Sequence, residues 1–534
     1  MTNTKDRVLF FSPYARWHYH TTLEVTWAHA LRQRGAETKF VLCNEVLPTC
    51  DIFRANLNPR RGTSCLECQA GTTNHLSQMN MPFEWLGDYL PREVRSQARK
   101  WVQTLPKADL LQAEWEGLPV GEWAATSAYY QYRTSKLDLD DPAVEETVRG
   151  LIVGTVHTAK SFEVLLDEYR PDTLVLLNGR FFSHWTAIEM AKKRGVRFVT
   201  HERGMRKSTV RFAENYRTHE LAPMHELWYR WKDVPLSRSE VDYVASVLQD
   251  RSLGRNYSFL VFSPPVDGED QPSSLRQFLG FDSRPLVAVF NSSDDETAAF
   301  DDRREGAFPN SRDFLPAVLQ LARKMPEVQF VIRMHPNIQS TLGTNEAQLQ
   351  HAREIRDDAP ENVHVIMPSD NLSSYLLIAE ADAGVVYGST VGLEMACAGK
   401  PVLCMAQATY SHVGCTRQLD DPRRFADELE RALAEGPRVE TARLALRWAC
   451  RYFQHFAQPF DLVVEEPQSC GKLNYSNTGS LAPGASPTLD RICQGFLGTR
   501  SVIPHPSPAE RTRSSEEEDR FLQTWVSRAP AGSA

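Results

Sequence analysis

The chain is built from short, continuous apolar runs, each followed by a stretch whose apolar residues recur with helical spacing. RVLFFSP (7–13) leads into TLEVTWAHALRQRG (22–35), where Gly35 stands just past a helix end, and ETKFVLC (37–43) follows as a second strand. The pattern returns as PDTLVLLNG, SHWTAIEMAKKRG and VRFVTHERG over 171–204. It returns again as RPLVAVFNSS, DFLPAVLQLARKM and EVQFVIRMHPN over 284–337. ENVHVIMPS, SSYLLIAEA, DAGVVYGST, VGLEMACAG and KPVLCMA complete the series at 361–406. Strand–helix–strand units require parallel pairing, and parallel strands buried on both faces read as unbroken apolar runs. With no fixed-period repeat, the pattern predicts an α/β protein of two doubly wound, Rossmann-like parallel-sheet domains facing a cleft.

SPPVDGEDQPSS (263–274) is rich in Pro, Asp and Ser and is the expected linker. The expected domains are residues 1–265 on the acceptor side, 266–467 as the nucleotide-binding half, and a mostly disordered tail over 468–534. GSLAPGASPT and HPSPAERTRSSEEED carry the polar, Pro/Ser-rich composition of disorder, with RICQGFL and RFLQTWV as short helices within it.

Composition narrows the classes. At 534 residues, one core is too small an account. A net charge of -8 argues against a nucleic-acid partner. No run approaches the roughly 18 apolar residues of a membrane span, and the N-terminus lacks a secretory apolar stretch, so a cytoplasmic location with reduced cysteines is expected.

Ligands of doubly wound folds sit outside the carboxyl ends of the strands. There the second half offers Arg333 and His335 in RMHPN, and Tyr387, Gly388, Ser389 and Thr390 in YGST. An arginine fork, an imidazole, two hydroxyls and a helix start can seat a phosphate. Glu394, one helical turn after Thr390, can accept hydrogen bonds from vicinal ribose hydroxyls. The plain alternative is that Ser389 or Thr390 only caps a helix.

These motifs resemble the bacterial capsule polysaccharide biosynthesis family. The resemblance is carried by RMHPN, by SSYLLIAEADAGVVYGSTVGLEMACAGKPVL and by Tyr410 and Gly414. VLLNGRFFSHWTAIEMAKKRGVRFVTHERG, WKDVPLSRSE and RWACRYFQHFAQPFDLV extend it over about residues 7–465. It implies a glycosyltransferase or close relative of GT-B fold, with a CMP- or UDP-linked sugar donor in the C-terminal half. His335, Ser389, Thr390 and Glu394 match the family's donor positions, as does Asn291, although the rest of NSSDDETAAFDD departs from the pattern.

Glycosyl transfer needs a base for the acceptor hydroxyl and preorganised donors for the leaving phosphate. The candidate bases are Glu202, for which an ion pair with Arg203 or Arg206 is the structural alternative, and His20, which could instead pack on Trp17. Arg203, Arg206 and Lys207 follow Glu202 and suit an anionic acceptor or donor carboxylate, or simply a solvated face. The acidic pairs DLDD (138–141) and DRRE (302–305) lack a preceding strand, so no catalytic cofactor or metal is expected. Cys50, Cys65 and Cys68, with Cys43 or His75, read either as a structural zinc site or as packed thiols. The expected activity is sugar transfer to a saccharide or lipid-linked acceptor, the latter bringing peripheral membrane association. A sugar-nucleotide epimerase and a non-catalytic capsule assembly or export component are the alternatives.

Overall fold

The computed structural model describes residues 5–528 except 15, 53–60, 258–260, 262, 295–297, 299, 301, 303–304, 309, 341–342 and 467–469. The chain forms two units, Met1–His219 with Phe456–Pro504, and Glu220–His455 with His505–Ala534.

The first unit is organised on β1 (Arg7–Ser12), β2 (Glu37–Leu42), β3 (Phe83–Trp85), β4 (Thr173–Leu177), β5 (Arg197–Arg203) and β6 (Thr209–Glu214). Their spatial order is β3-β2-β1-β4-β5-β6, and the short strand Ala457–Pro459 adds antiparallel to β6. All pairs from β3 to β5 are parallel, and only β5–β6 reverses. Both faces of β1 are covered. Phe11 meets Phe162 on one side at 4.8 Å between ring centres, and on the other Phe10, beside its in-register neighbour Phe40, meets Phe496 of the helix Pro487–Phe496 at 6.3 Å. That two-sided burial is why the strand is apolar throughout.

The second unit holds β7 (Leu286–Phe290), β8 (Gln329–Arg333), β9 (Val363–Ile366), β10 (Ala383–Tyr387), β11 (Val402–Ala406) and β12 (Arg417–Gln418). They form one all-parallel sheet in the order β9-β8-β7-β10-β11-β12. This is the doubly wound order, whose direction of winding switches between β7 and β10. Lys400, buried before β11, caps the end of the helix Ser374–Glu380 by donating to the carbonyls of Ile378, Ala379 and Ala381 at 2.9, 2.6 and 2.8 Å. Burial pushes its pKa down to about 8.

Two expectations about organisation need correcting. The division falls at His219/Glu220, at His455/Phe456 and again at Pro504/His505, not in the linker 263–274. The reason is packing. The helices Ala222–Trp231 and Arg238–Ser252 bury Trp228 and Trp231 against the helix Val439–Arg451, with Arg451 stacked 4.5 Å over Trp231 and paired to Glu240.

The stretch expected to be mostly disordered is also placed, over 470–528. The helix Pro487–Phe496 buries Leu489, Ile492, Cys493 and Phe496 in the first unit's core, beside Trp27 and Phe10. The helix Glu516–Arg528 brings Glu518, 1% exposed, to Arg443 and Arg447 of the second unit, and the Trp525 indole donates to the Cys397 carbonyl at 2.8 Å. A few well-spaced apolar anchors and one buried carboxylate outweigh the polar, Pro/Ser-rich average. Among the described residues, no helix is long and apolar enough to cross a membrane.

Candidate functional site

In the second unit the loops after β7 and β10 flank the switch point. Tyr387 ends β10 with its hydroxyl donating to the Phe308 carbonyl at 3.2 Å, and its own carbonyl accepts from the Ser292 hydroxyl. Gly388 then takes φ 67°, a left-handed turn that glycine adopts without strain. Ser389 and Thr390 follow, half-buried, and lead into the seven-residue helix Val391–Cys397. Thr390 occupies the N-cap position without a side-chain capping bond; the Ser389 hydroxyl accepts from the Val391 N–H at 3.4 Å instead. The Tyr410 hydroxyl donates to the Ser389 carbonyl, and its approach leaves no room for a Cβ at Gly392.

His335 is tied to the same end of the sheet. Its N–H donates to the Asn291 side chain at 2.7 Å, joining the ends of β8 and β7, and its Nδ1 accepts from the Asn337 N–H at 3.1 Å. Arg333 is turned elsewhere. It is 2% exposed, with Nη1 on the Met367 carbonyl and Nη2 3.5 Å from the Asp370 carbonyl, so the guanidinium ties the loop after β9 to β8 and is not presented as a phosphate fork. Burial lowers its pKa to about 10.

Glu394 lies one turn into the helix, 8% exposed. Its Oε1 accepts from Arg251 Nε at 3.0 Å and Nη2 at 2.6 Å. Arg251 Nη2 also reaches the Thr390 hydroxyl at 3.5 Å. Glu394 Oε2 is buried and, among the described residues, has no hydrogen-bond partner.

The first unit gathers titratable groups at its own strand ends. Glu202, near the end of β5, accepts from the Asn178 amide at 2.6 Å and from the Arg203 N–H at 2.8 Å. His20 Nε2 is 3.3 Å from one of its oxygens and His219 Nε2 is 3.9 Å from the other. Arg203 Nε and Nη2 lie 3.4 and 3.2 Å from the same His20 nitrogen, and Arg203 pairs with Glu465 of the hairpin Val463–Glu466/Cys470–Leu473.

Burial pushes the His20 imidazole well below its ordinary value and His219 down to about 4. Burial alone would raise the Glu202 carboxyl. His20 and His219 beside it, with the Arg203 and Arg211 guanidiniums, outweigh that effect and hold it well below the usual range. His20 packs near His201, 5.7 Å between rings, rather than on Trp17. Lys207 is exposed on the turn between β5 and β6, and Thr209 fixes that turn by donating to the Arg206 carbonyl at 2.7 Å.

Behind this cluster a second carboxylate is buried. Asp51 accepts from the Tyr14 hydroxyl at 2.7 Å and the Ser127 hydroxyl at 2.9 Å, while Ser183 donates to Tyr14 at 2.7 Å. Burial raises Asp51 to about 6, against the hydrogen bonds from Tyr14, Ser127 and Gln131. The network locks the loop after β1 to the helices Val120–Tyr132 and Phe182–Lys193.

Residues 300–443 match the family model described as capsule polysaccharide biosynthesis protein. The resemblance read from the sequence holds over this segment. No curated protein matches the chain. Among solved structures it is similar to KpsC of Thermosulfurimonas dismutans, described as a beta Kdo 2,4 transferase. The identity is 13%, over 58% of this chain and 87% of that one, with a TM-score of 0.35. A second KpsC structure, described as a beta Kdo 2,7 transferase, gives 12% identity over 59% and 85%, with a TM-score of 0.34. UDP-GlcNAc 2-epimerase from Neisseria meningitidis, bound to UDP-GlcNAc, gives 11% identity over 84% and 98%, with a TM-score of 0.25. All three superpose too loosely to bear on the site.

The family segment contains the loops at His335 and Gly388–Glu394, but neither Arg251 nor any of the first unit's cluster. Arg251 had no local signal, being a helix residue distant in sequence from its partner. Asn178 did have one, since it directly follows the apolar run LVLL. Much of the departing loop NSSDDETAAFDD lies outside the described residues, as does the side chain of His75. Cys43, Cys50, Cys65 and Cys68 are half-buried, and among the described residues no group of three His, Cys, Asp or Glu side chains is arranged to hold a metal ion.

Proposed function

We propose that the chain is a glycosyltransferase of capsule or surface polysaccharide synthesis, taking a CMP- or UDP-linked sugar and passing it to a saccharide or lipid-linked acceptor. The observation that carries this is the second unit's switch point. Asn291 and His335, which are hydrogen-bonded, follow β7 and β8, and Ser389, Thr390 and Glu394 follow β10, at the strand ends where a doubly wound sheet binds nucleotides. The imidazole and hydroxyls would take the diphosphate or monophosphate, and the buried carboxylate the ribose. Arg333 has no part in this seat.

In the first unit Glu202 is the proposed base. Its low pKa keeps it ionised at neutral pH, but also makes it a weak base in the resting protein. Acceptor binding that moves Arg203 or His20 away from the carboxylate would raise its affinity for a proton. His20, with Nε2 beside two Arg203 N–H groups, is better placed to orient Arg203 than to accept the acceptor's proton.

The testing experiment incubates the protein with CMP- and UDP-linked sugars, with and without candidate saccharide acceptors, and follows nucleotide release and sugar products. Acceptor-dependent release supports transfer. Conversion of the donor into an isomeric nucleotide sugar without acceptor would instead establish an epimerase, which needs the same seat.

A further inference from the structure

Arg251 belongs to the helix Arg238–Ser252, far in sequence from every strand-end loop, yet its guanidinium is buried against the helix that follows β10. Two of its N–H groups converge on a single oxygen of Glu394, leaving the other oxygen buried with no partner among the described residues. An unpaired buried carboxylate oxygen is costly, and such a group calls for an explanation, a bound partner being one. Oε1 is fixed by a charged fork, so Oε2 is fixed as well. The Tyr257 and Phe453 ring centres lie 5.7 and 5.8 Å from the guanidinium carbon.

We propose that Arg251 is a positioning residue of the donor site: it holds Glu394 oriented so that Oε2 accepts a ribose hydroxyl of the nucleotide. This rests on the second unit being the nucleotide seat. A rotated Glu394 would lose that function, because a carboxylate swung about its Cγ–Cδ bond no longer directs Oε2 at a fixed point.

The test is calorimetric titration of the whole protein with UDP and CMP and with their 2′-deoxy forms. A hydrogen bond to a charged group is worth about tenfold to a hundredfold in affinity, so wild type should prefer the ribonucleotide by at least about tenfold. Arg251→Met should bind both forms with a ratio below about threefold. Arg251→Lys, which keeps the charge and is the gentler change to the fold, loses the two-point fork and should fall between. A wild-type ratio in either variant overturns the proposal. So does a wild type that binds nucleotide without preferring the ribose form, and in that case the donor seat itself still stands. No binding of any of the four nucleotides would remove the seat and this proposal together. A general loss of folding would lower both affinities equally and leave the ratio intact, which separates positioning from mere support.

Discussion

The two units share a winding order, β3-β2-β1-β4-β5 in one and β9-β8-β7-β10-β11 in the other, and fill the same place with different chemistry. Near the first switch point stand buried titratable side chains: Glu202, His20 and His219, with Asp51 buried in the same unit. At the second stand backbone groups, Asn291, Ser389, Thr390, His335 and one buried ion pair. The contrast teaches that the sheet supplies a location and nothing more. The residues placed there decide whether the location handles protons or holds an anion.

The comparison breaks most visibly at Glu202. Glu202→Gln keeps the shape and the bond from Asn178 but cannot take a proton. Turnover in an acceptor-dependent assay is expected to fall about a hundredfold to ten-thousandfold, with donor affinity unchanged. Loss of donor affinity alongside turnover would make Glu202 a structural residue.

Within the second unit the contrast lies between neighbours. His335→Ala is expected to weaken nucleotide binding about tenfold to a hundredfold. Arg333→Ala should leave affinity near wild type and lower the melting temperature, because its guanidinium serves the loop after β9. Equal losses of affinity would return Arg333 to the phosphate seat.

Asp51 sharpens the comparison through pH. Its folded pKa, raised to about 6, lies above the ordinary 3.8. The folded state therefore binds the proton more tightly. Its contribution favours folding below about pH 4 and is lost as pH rises through 6. Asn resembles the protonated form, so Asp51→Asn should gain melting temperature relative to wild type between pH 4 and 7. A difference that stays constant across that range would contradict a protonatable Asp51. The smallest effect is expected at Gly392, where Ala would crowd the Tyr410 hydroxyl and cost about 1–3 kcal/mol, read as a lowered melting temperature.

Most of the sheet was legible. Buried parallel strands must be apolar along their whole length, so RVLFFS, TLVLL, LVAVF, QFVIR and AGVVY announce themselves, and the residues after them are the strand-end candidates. The orientation of a side chain was not legible. RMHPN shows Arg333 and His335 two positions apart, but only packing decides that the first turns into the protein and the second stays at the sheet's end. Partners from distant elements were hidden for the same reason: Arg251 for Glu394, Glu465 for Arg203, His219 for Glu202. The return of the chain after Phe456 was also hidden. Its anchors, Leu489, Ile492, Phe496 and Val502, are too sparse to lift the average of a Pro/Ser-rich stretch, yet each is fully buried.

The division of labour between the units is tested most directly by nucleotide titration of three proteins side by side: wild type, Glu202→Gln and His335→Ala. With CMP and UDP as ligands, wild type and Glu202→Gln are expected to bind one of them with equal affinity, and His335→Ala to bind it about tenfold to a hundredfold more weakly. Binding that is lost in Glu202→Gln and intact in His335→Ala would place the nucleotide in the first unit and contradict the account.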